Sequence, residues 1–112
     1  MDQPLRAELR RIRDGGGAGS PDAGAALGDG PAERRLEAAM RALALHRGPG
    51  SSTCPSDAAR AVGGEGWRGL MADARRLARD LARSGEVEIT QRGAVLDPDG
   101  DWRGPVRIRA AR

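Results

Sequence analysis

The chain has no lysine, asparagine, phenylalanine or tyrosine, and holds one cysteine, one histidine and two tryptophans. Cys54 alone cannot close an internal disulfide, which suits a reducing compartment. One cysteine and one histidine also leave no cluster of metal-binding type. No apolar run approaches the roughly 20 residues that span a bilayer, so no membrane partner is expected. Residues 1–13 are charged throughout and lack the apolar segment of a secretory signal, so the expected location is cytoplasmic. Neither a Gly-x-Ser-x-Gly elbow nor a Gly-x-x-x-x-Gly-Lys phosphate loop occurs. The acids Asp73 and Asp80 stand beside arginines, which keep them ionised rather than poised for proton transfer. No enzyme and no cofactor are expected.

A length of 112 residues suits one small domain with a tail. All 19 basic residues are arginine, against 16 acids, for a net charge of +3 and a pI near 10.8. The missing lysine, with abundant alanine and glycine, has the look of GC-rich codon usage, so the choice of arginine says little about binding. Its location says more. Residues 1–30 carry four arginines against five acids, and the remainder carries fifteen against eleven. The positive excess belongs to the second part, a pattern compatible with an acidic partner such as nucleic acid.

In residues 1–30, Leu5, Leu9 and Ile12 recur at helical spacing, which allows a short helix over 3–13. Residues 15–30 are mostly glycine, alanine, aspartate, serine and proline, a composition expected to stay a flexible tail. An alternative reading makes Leu5, Leu9 and Ile12 a peptide that docks on a partner. The domain is expected over 31–112. Pro31 opens a first helix with a stripe of Leu36, Met40 and Leu43, which Gly48 and Pro49 stop. His46, in its last turn, reads as a capping or surface residue. Thr53 and Cys54 suit a very short strand, and Ser56 is expected to cap a short helix over 57–62.

After glycines 63, 64 and 66 comes the helix predicted over 67–84. Trp67, Leu70, Ala74, Leu77 and Leu81 form its apolar stripe, and Arg68, Arg75, Arg76, Arg79 and Arg83 fall in an arc of roughly 100° on the other side. Asp73 and Asp80 lie three or four residues from Arg76 and Arg83, which gives those two local partners. Arg68, Arg75 and Arg79 have none. A short helix, a glycine turn and a longer basic helix make a helix-turn-helix pattern.

The period then changes to two. Val87 and Ile89 alternate with polar residues, Gln91-Arg92-Gly93 reads as a turn, 94–96 as a returning strand and 106–109 as a third. The fold class is therefore α+β: a winged helix-turn-helix of three helices followed by a small antiparallel β-wing. Trp102 either covers the edge of the core or stands exposed near the wing, the first being favoured. Asp97, Asp99 and Asp101 resemble part of a calcium loop but lack the downstream glutamate, so they read as a solvated turn. Cys54 reads as a small buried apolar residue.

Arg47-Gly48-Pro49-Gly50, Thr53-Cys54-Pro55-Ser56, Trp67-Arg68-Gly69-Leu70-Met71, Ile89-Thr90-Gln91-Arg92-Gly93 and Gly104-Pro105-Val106-Arg107 follow one another in order. By these motifs the chain resembles a small bacterial domain-of-unknown-function family, which implies a winged-helix fold and no established activity. Gly69 departs from that pattern, which favours alanine, and residues 1–30 lie outside it.

Two functions follow. In the first, the 67–84 helix enters the major groove of duplex DNA with Arg68, Arg75 and Arg79, while Arg76 and Arg83 contact the backbone. Arg92 and Arg103 add phosphate or minor-groove contacts from the wing. In the second, the same fold serves as a protein-interaction module, one version being a homodimer through the first helix. Acids from the wing folded over the arginines would favour the second.

Overall fold

A computed structural model describes residues 3–111. In chain order come α1 (Gln3–Gly15), α2 (Ser20–Leu27), α3 (Ala32–Arg47), α4 (Pro55–Gly63), a 3-10 turn (Gly64–Leu70), α5 (Met71–Arg83), β1 (Val87–Gln91), β2 (Ala94–Val95) and β3 (Arg107–Ala110). The class is α+β, with the helices before a three-stranded antiparallel sheet of order β2-β1-β3, an arrangement compatible with a winged helix.

α3 is the central element and touches every other α-helix and β3. Leu36, Met40 and Leu43 are fully buried, as the helical spacing predicts, and so are the alanines between them. Gly48 ends the helix at φ 75°, and its N–H reaches Ala44 O at 3.0 Å. Ile89 and Ile108, inward residues of β1 and β3, close the core from the sheet side. Thr53 joins the sheet as a single bridge to Ile108, with 2.7 Å hydrogen bonds in both directions, one residue where Thr53 and Cys54 were expected to add a strand of two or three.

Residues 1–30 depart from expectation. The segment expected to be a flexible tail contains α2, and α1 and α2 pack against α3 rather than hanging free. Of the five α-helices in the described residues, α1 answers to the short helix allowed over 3–13 and α2 is the one not expected, and Leu9, Ile12, Ala23 and Ala26 belong to the same core as residues 33–111. The physical reason is close packing. Ala23 and Ala26 are small enough to bring α2 against α3, and Pro21 and Asp22 suit the first turn of a helix. Burying Leu9 and Ile12 contributes roughly 1.5–3 kcal/mol each toward the entropy of ordering the hairpin. Burial of these side chains also removes the docking-peptide reading. Polar contacts fix the hairpin's position: Glu8 receives Arg47 at 2.7 and 3.1 Å, and Arg6 donates to Ala61 O at 2.8 Å.

Two helix starts shift as well. α4 begins at Pro55, one turn position before the expected Ser56 cap, because Pro55 fits the first position where no N–H is needed. Asp57 instead accepts Thr53 Oγ1 at 2.8 Å. The helix expected from residue 67 starts at Met71, and Trp67 and Arg68 belong to the preceding 3-10 turn. Four glycines in 63–69 disfavour an α-helix there. At Gly63 a Cβ would come within 2.8 Å of Leu70 Cδ1, so the turn packs closely here and a larger residue would make the Leu70 side chain shift.

Candidate nucleic-acid interface

α5 buries Ala74, Leu77, Ala78 and Leu81 and turns its arginines away from the core, so its amphipathic reading stands. Most of that arginine arc is engaged within the molecule. Arg79 is half-buried and donates Nη1 to Pro98 O at 2.7 Å and to Gly100 O at 2.8 Å. Its guanidinium lies 4.0 Å from the centroid of the Trp102 ring, and that of Arg75 lies 4.7 Å from the same centroid. Arg75 also donates to Gly104 O at 3.2 Å. Trp102 is 8% exposed and donates Nε1 to Asp97 O at 3.2 Å, so it covers the core edge as the favoured reading had it.

Arg83 donates Nε to Asp99 at 2.6 Å and Nη1 to Asp80 at 2.9 Å. Arg76 bonds Glu33, from the first turn of α3, and Asp73. Hydrogen bonds to these carboxylates, from Asp73 first for Arg76 and from Asp99 first for Arg83, raise both guanidinium pKa values. The loop after β2 is therefore strapped along α5 by three consecutive arginines of one face, Arg75, Arg79 and Arg83. Two of those straps go to carbonyl oxygens, which satisfy guanidinium donors without cancelling their charge.

The remaining sequence candidates lie around the ends of this strap. Arg68 stacks on Trp67 at 4.6 Å, and Arg60 stacks on the same ring at 4.5 Å. Arg60 had no sequence signal, because the glycine turn reverses the chain and local spacing cannot show that α4 returns to Trp67. Arg92 is exposed at φ 53°, followed by Gly93 at φ 85°, in a two-residue hairpin turn whose flanking pair is Gln91 and Ala94. Arg103 is exposed, and Gln91 Nε2 donates to its carbonyl at 2.5 Å and to Pro105 O at 3.2 Å. Gln91 thus ties the Arg92 turn to 103–105, and Gly104 ties that segment to Arg75. Arg68 lies in the 3-10 turn that leads directly into α5, seven residues before Arg75.

Arg60, Arg68, Arg75, Arg92 and Arg103 make no ion pair among the described residues, whereas Arg76 and Arg83 each make two. The structure thus divides the seven sequence candidates. Arg68, Arg75, Arg92 and Arg103 keep uncancelled charge along a connected path, Arg79 is committed to the loop, and Arg76 and Arg83 are neutralised by acids. His46 is exposed, and Cys54 is half-buried rather than buried, 3.0 Å from Ser56 Oγ. Asp97 accepts the Asp99 N–H at 2.9 Å, as a turn residue does. Among the described residues, no three histidine, cysteine or acidic side chains gather as a metal site would need.

No curated protein matches the chain. A family model does, over residues 33–111, from the first turn of α3 to the end of the sheet. The match takes in every arginine of the connected path and leaves out the α1–α2 hairpin, and on that extent the chain belongs to the family described as Protein of unknown function (DUF3253).

Proposed function

We propose that this chain is a non-enzymatic winged-helix module of the bacterial cytoplasm that binds duplex DNA. The contacts come from the start of α5 and the wing formed by the 91–106 segment. The observation that carries this reading is the path of arginines free of acid partners, Arg68, Arg75, Arg103 and Arg92, next to a loop whose shape Arg79 and Trp102 fix. Arg68 reaches base edges or phosphates at the helix start, Arg103 and Arg92 meet phosphates from the wing, and Arg79 positions the wing. Arg92 supports this role, because its left-handed backbone would be filled at lower cost by glycine or asparagine.

About four phosphate contacts give a slope of log affinity against log salt near −3.6. Fluorescence anisotropy of a labelled duplex at two salt concentrations measures it. Arg68→Gln, Arg92→Gln and Arg103→Gln combined are expected to bring the slope to about −0.9, and Arg76→Gln with Arg83→Gln to leave it unchanged. Absence of binding at low salt, or a triple variant with the parent's slope, overturns the proposal.

One observation favours a second reading, a protein-interaction module. Asp99 from the wing pairs with Arg83, and the loop carbonyls occupy Arg79, so much of the presumed recognition face is already taken. In its homodimer version, light scattering over a range of concentrations gives a mass that rises to twice that of the chain. A constant monomer mass rules that version out.

A further inference from the structure

Away from the arginine path, a cleft of about 360 Å³ opens between the last turns of α1 and α3 and the 15–19 linker. That volume lies within the range of small-molecule sites. Its floor is Ile12, which is 6% exposed, and Leu45, which at 44% is one of two exposed large apolar side chains among the described residues. Its polar side chains are Arg11 and His46, both exposed and neither with a hydrogen bond or ion pair among the described residues.

The wall is held in place by its own bonds. Ser20 donates its hydroxyl to Arg13 O at 2.5 Å and its N–H to Gly17 O at 3.0 Å, and a Cβ on Gly19 would approach Ile12 Cγ2 to 3.2 Å. Gly19 therefore packs against Ile12, and the linker forms one wall of the cleft. The two acids nearest in sequence, three residues away on either side, are both engaged elsewhere, Asp14 by Arg13 at 2.9 Å and Glu8 by Arg47 at 2.7 Å, which leaves Arg11 without a competitor.

The C-termini of α1 and α3 bring partial negative charge of about half a unit each, and the N-terminus of α2, whose cap Gly19 lines the cleft, offsets about half a unit of it. A guanidinium brings a full positive charge and parallel N–H donors that match a carboxylate, and it can be in direct contact with the ligand, so the site favours an anion. An apolar floor beside such a donor suits a molecule with one charged end and one hydrocarbon end.

We propose that this cleft binds a small apolar monocarboxylate, its carboxylate on Arg11 with His46 at the rim and its hydrocarbon body on Ile12 and Leu45. The site is independent of the arginine path and of DNA binding.

The test is amide NMR of the full chain titrated with sodium benzoate, benzyl alcohol and benzylammonium chloride. Benzoate is expected to shift the amides of 15–19, Leu45 and His46 saturably, with a dissociation constant on the order of 1 mM. Benzyl alcohol is expected to bind at least about fivefold more weakly and benzylammonium not at all, because a charged hydrogen bond is lost in the first and opposed in the second. Arg11→Gln, at an exposed position, is expected to weaken benzoate about tenfold. Ala18→Leu, which places a side chain in the cleft, is expected to do the same while the rest of the spectrum stays as in the parent. A benzoate response that does not saturate, an equal response to benzylammonium, or an unchanged midpoint in Arg11→Gln overturns the assignment.

Discussion

Replacing Arg79 with methionine keeps most of the side-chain volume and removes the guanidinium that straps the 97–104 segment to α5. Two hydrogen bonds from a charged donor, at 2.7 and 2.8 Å, are lost together with the stack on Trp102 at 4.0 Å. Each such bond contributes about 1.5–3 kcal/mol when its partner stays dry. Pro98 and Gly100 are in a surface loop, so their carbonyls regain water and the loss falls below that range, to about 0.75–1 kcal/mol each. The stack adds about 0.5–1 kcal/mol. Together the cost is about 2–3 kcal/mol. With a urea m value of about 1–1.5 kcal/mol/M for a chain of this size, the midpoint should fall by about 2 M. Circular dichroism in urea reads that midpoint, and tryptophan emission moves to longer wavelength before the main transition as Trp102 meets water. Arg79→Lys should recover less than half of the loss, since an ammonium cannot copy the planar donor set. A midpoint change below about 0.3 M with unshifted emission would refute the strap.

Arg92→Gly should raise stability by about 0.5–1 kcal/mol, read as a higher urea midpoint, while reducing the salt slope of DNA binding by about 0.9. Ala23→Asp should cost about 2–4 kcal/mol, since an unpaired carboxylate replaces a fully buried methyl, and a loss below about 0.5 kcal/mol would mean that α2 does not pack. The hydrogen bond from Arg41 holds the Glu86 carboxyl below the ordinary glutamate range, with Ser84 contributing less. A folded pKa below the unfolded one means that Glu86 contributes stability above about pH 4.3, lost as pH falls through the lower folded value. Urea midpoints taken from about pH 6 down to about pH 3 should fall less in Arg41→Gln than in the parent, and parallel curves would deny the link.

The helices built on large apolar residues and the alternating strands could be read from sequence, because their periodicity is local. α2 could not, because Leu27 is its one large apolar residue and its contribution comes from Ala23 and Ala26 at a close helix crossing. The start signal Ser20-Pro21-Asp22 was nonetheless present. At the site, Asp73 pairing with Arg76 and Asp80 with Arg83 followed from three-residue spacing. Glu33, Asp99 and the carbonyls of Pro98, Gly100 and Gly104 are distant in sequence from the arginines they hold. No helical arithmetic reveals that Arg79, without a local acid, is the most committed of them.

The bridge between Thr53 and Ile108 has a kinetic meaning. Its partners are 55 residues apart, and closing such a loop costs about 3.5 kcal/mol of chain entropy beyond a constant, before its bonds return anything. The contacts of α1, α2 and α3 join near neighbours in the chain, which form sooner. On this ground the helical layer is expected to assemble first and β3 to dock late. Until β3 docks, the 96–106 segment is tethered at one end only, Arg75 and Arg79 of α5 stand bare, and Arg83 keeps only its local partner Asp80. Early in its folding, then, the molecule shows its surroundings a more basic face than the finished protein does.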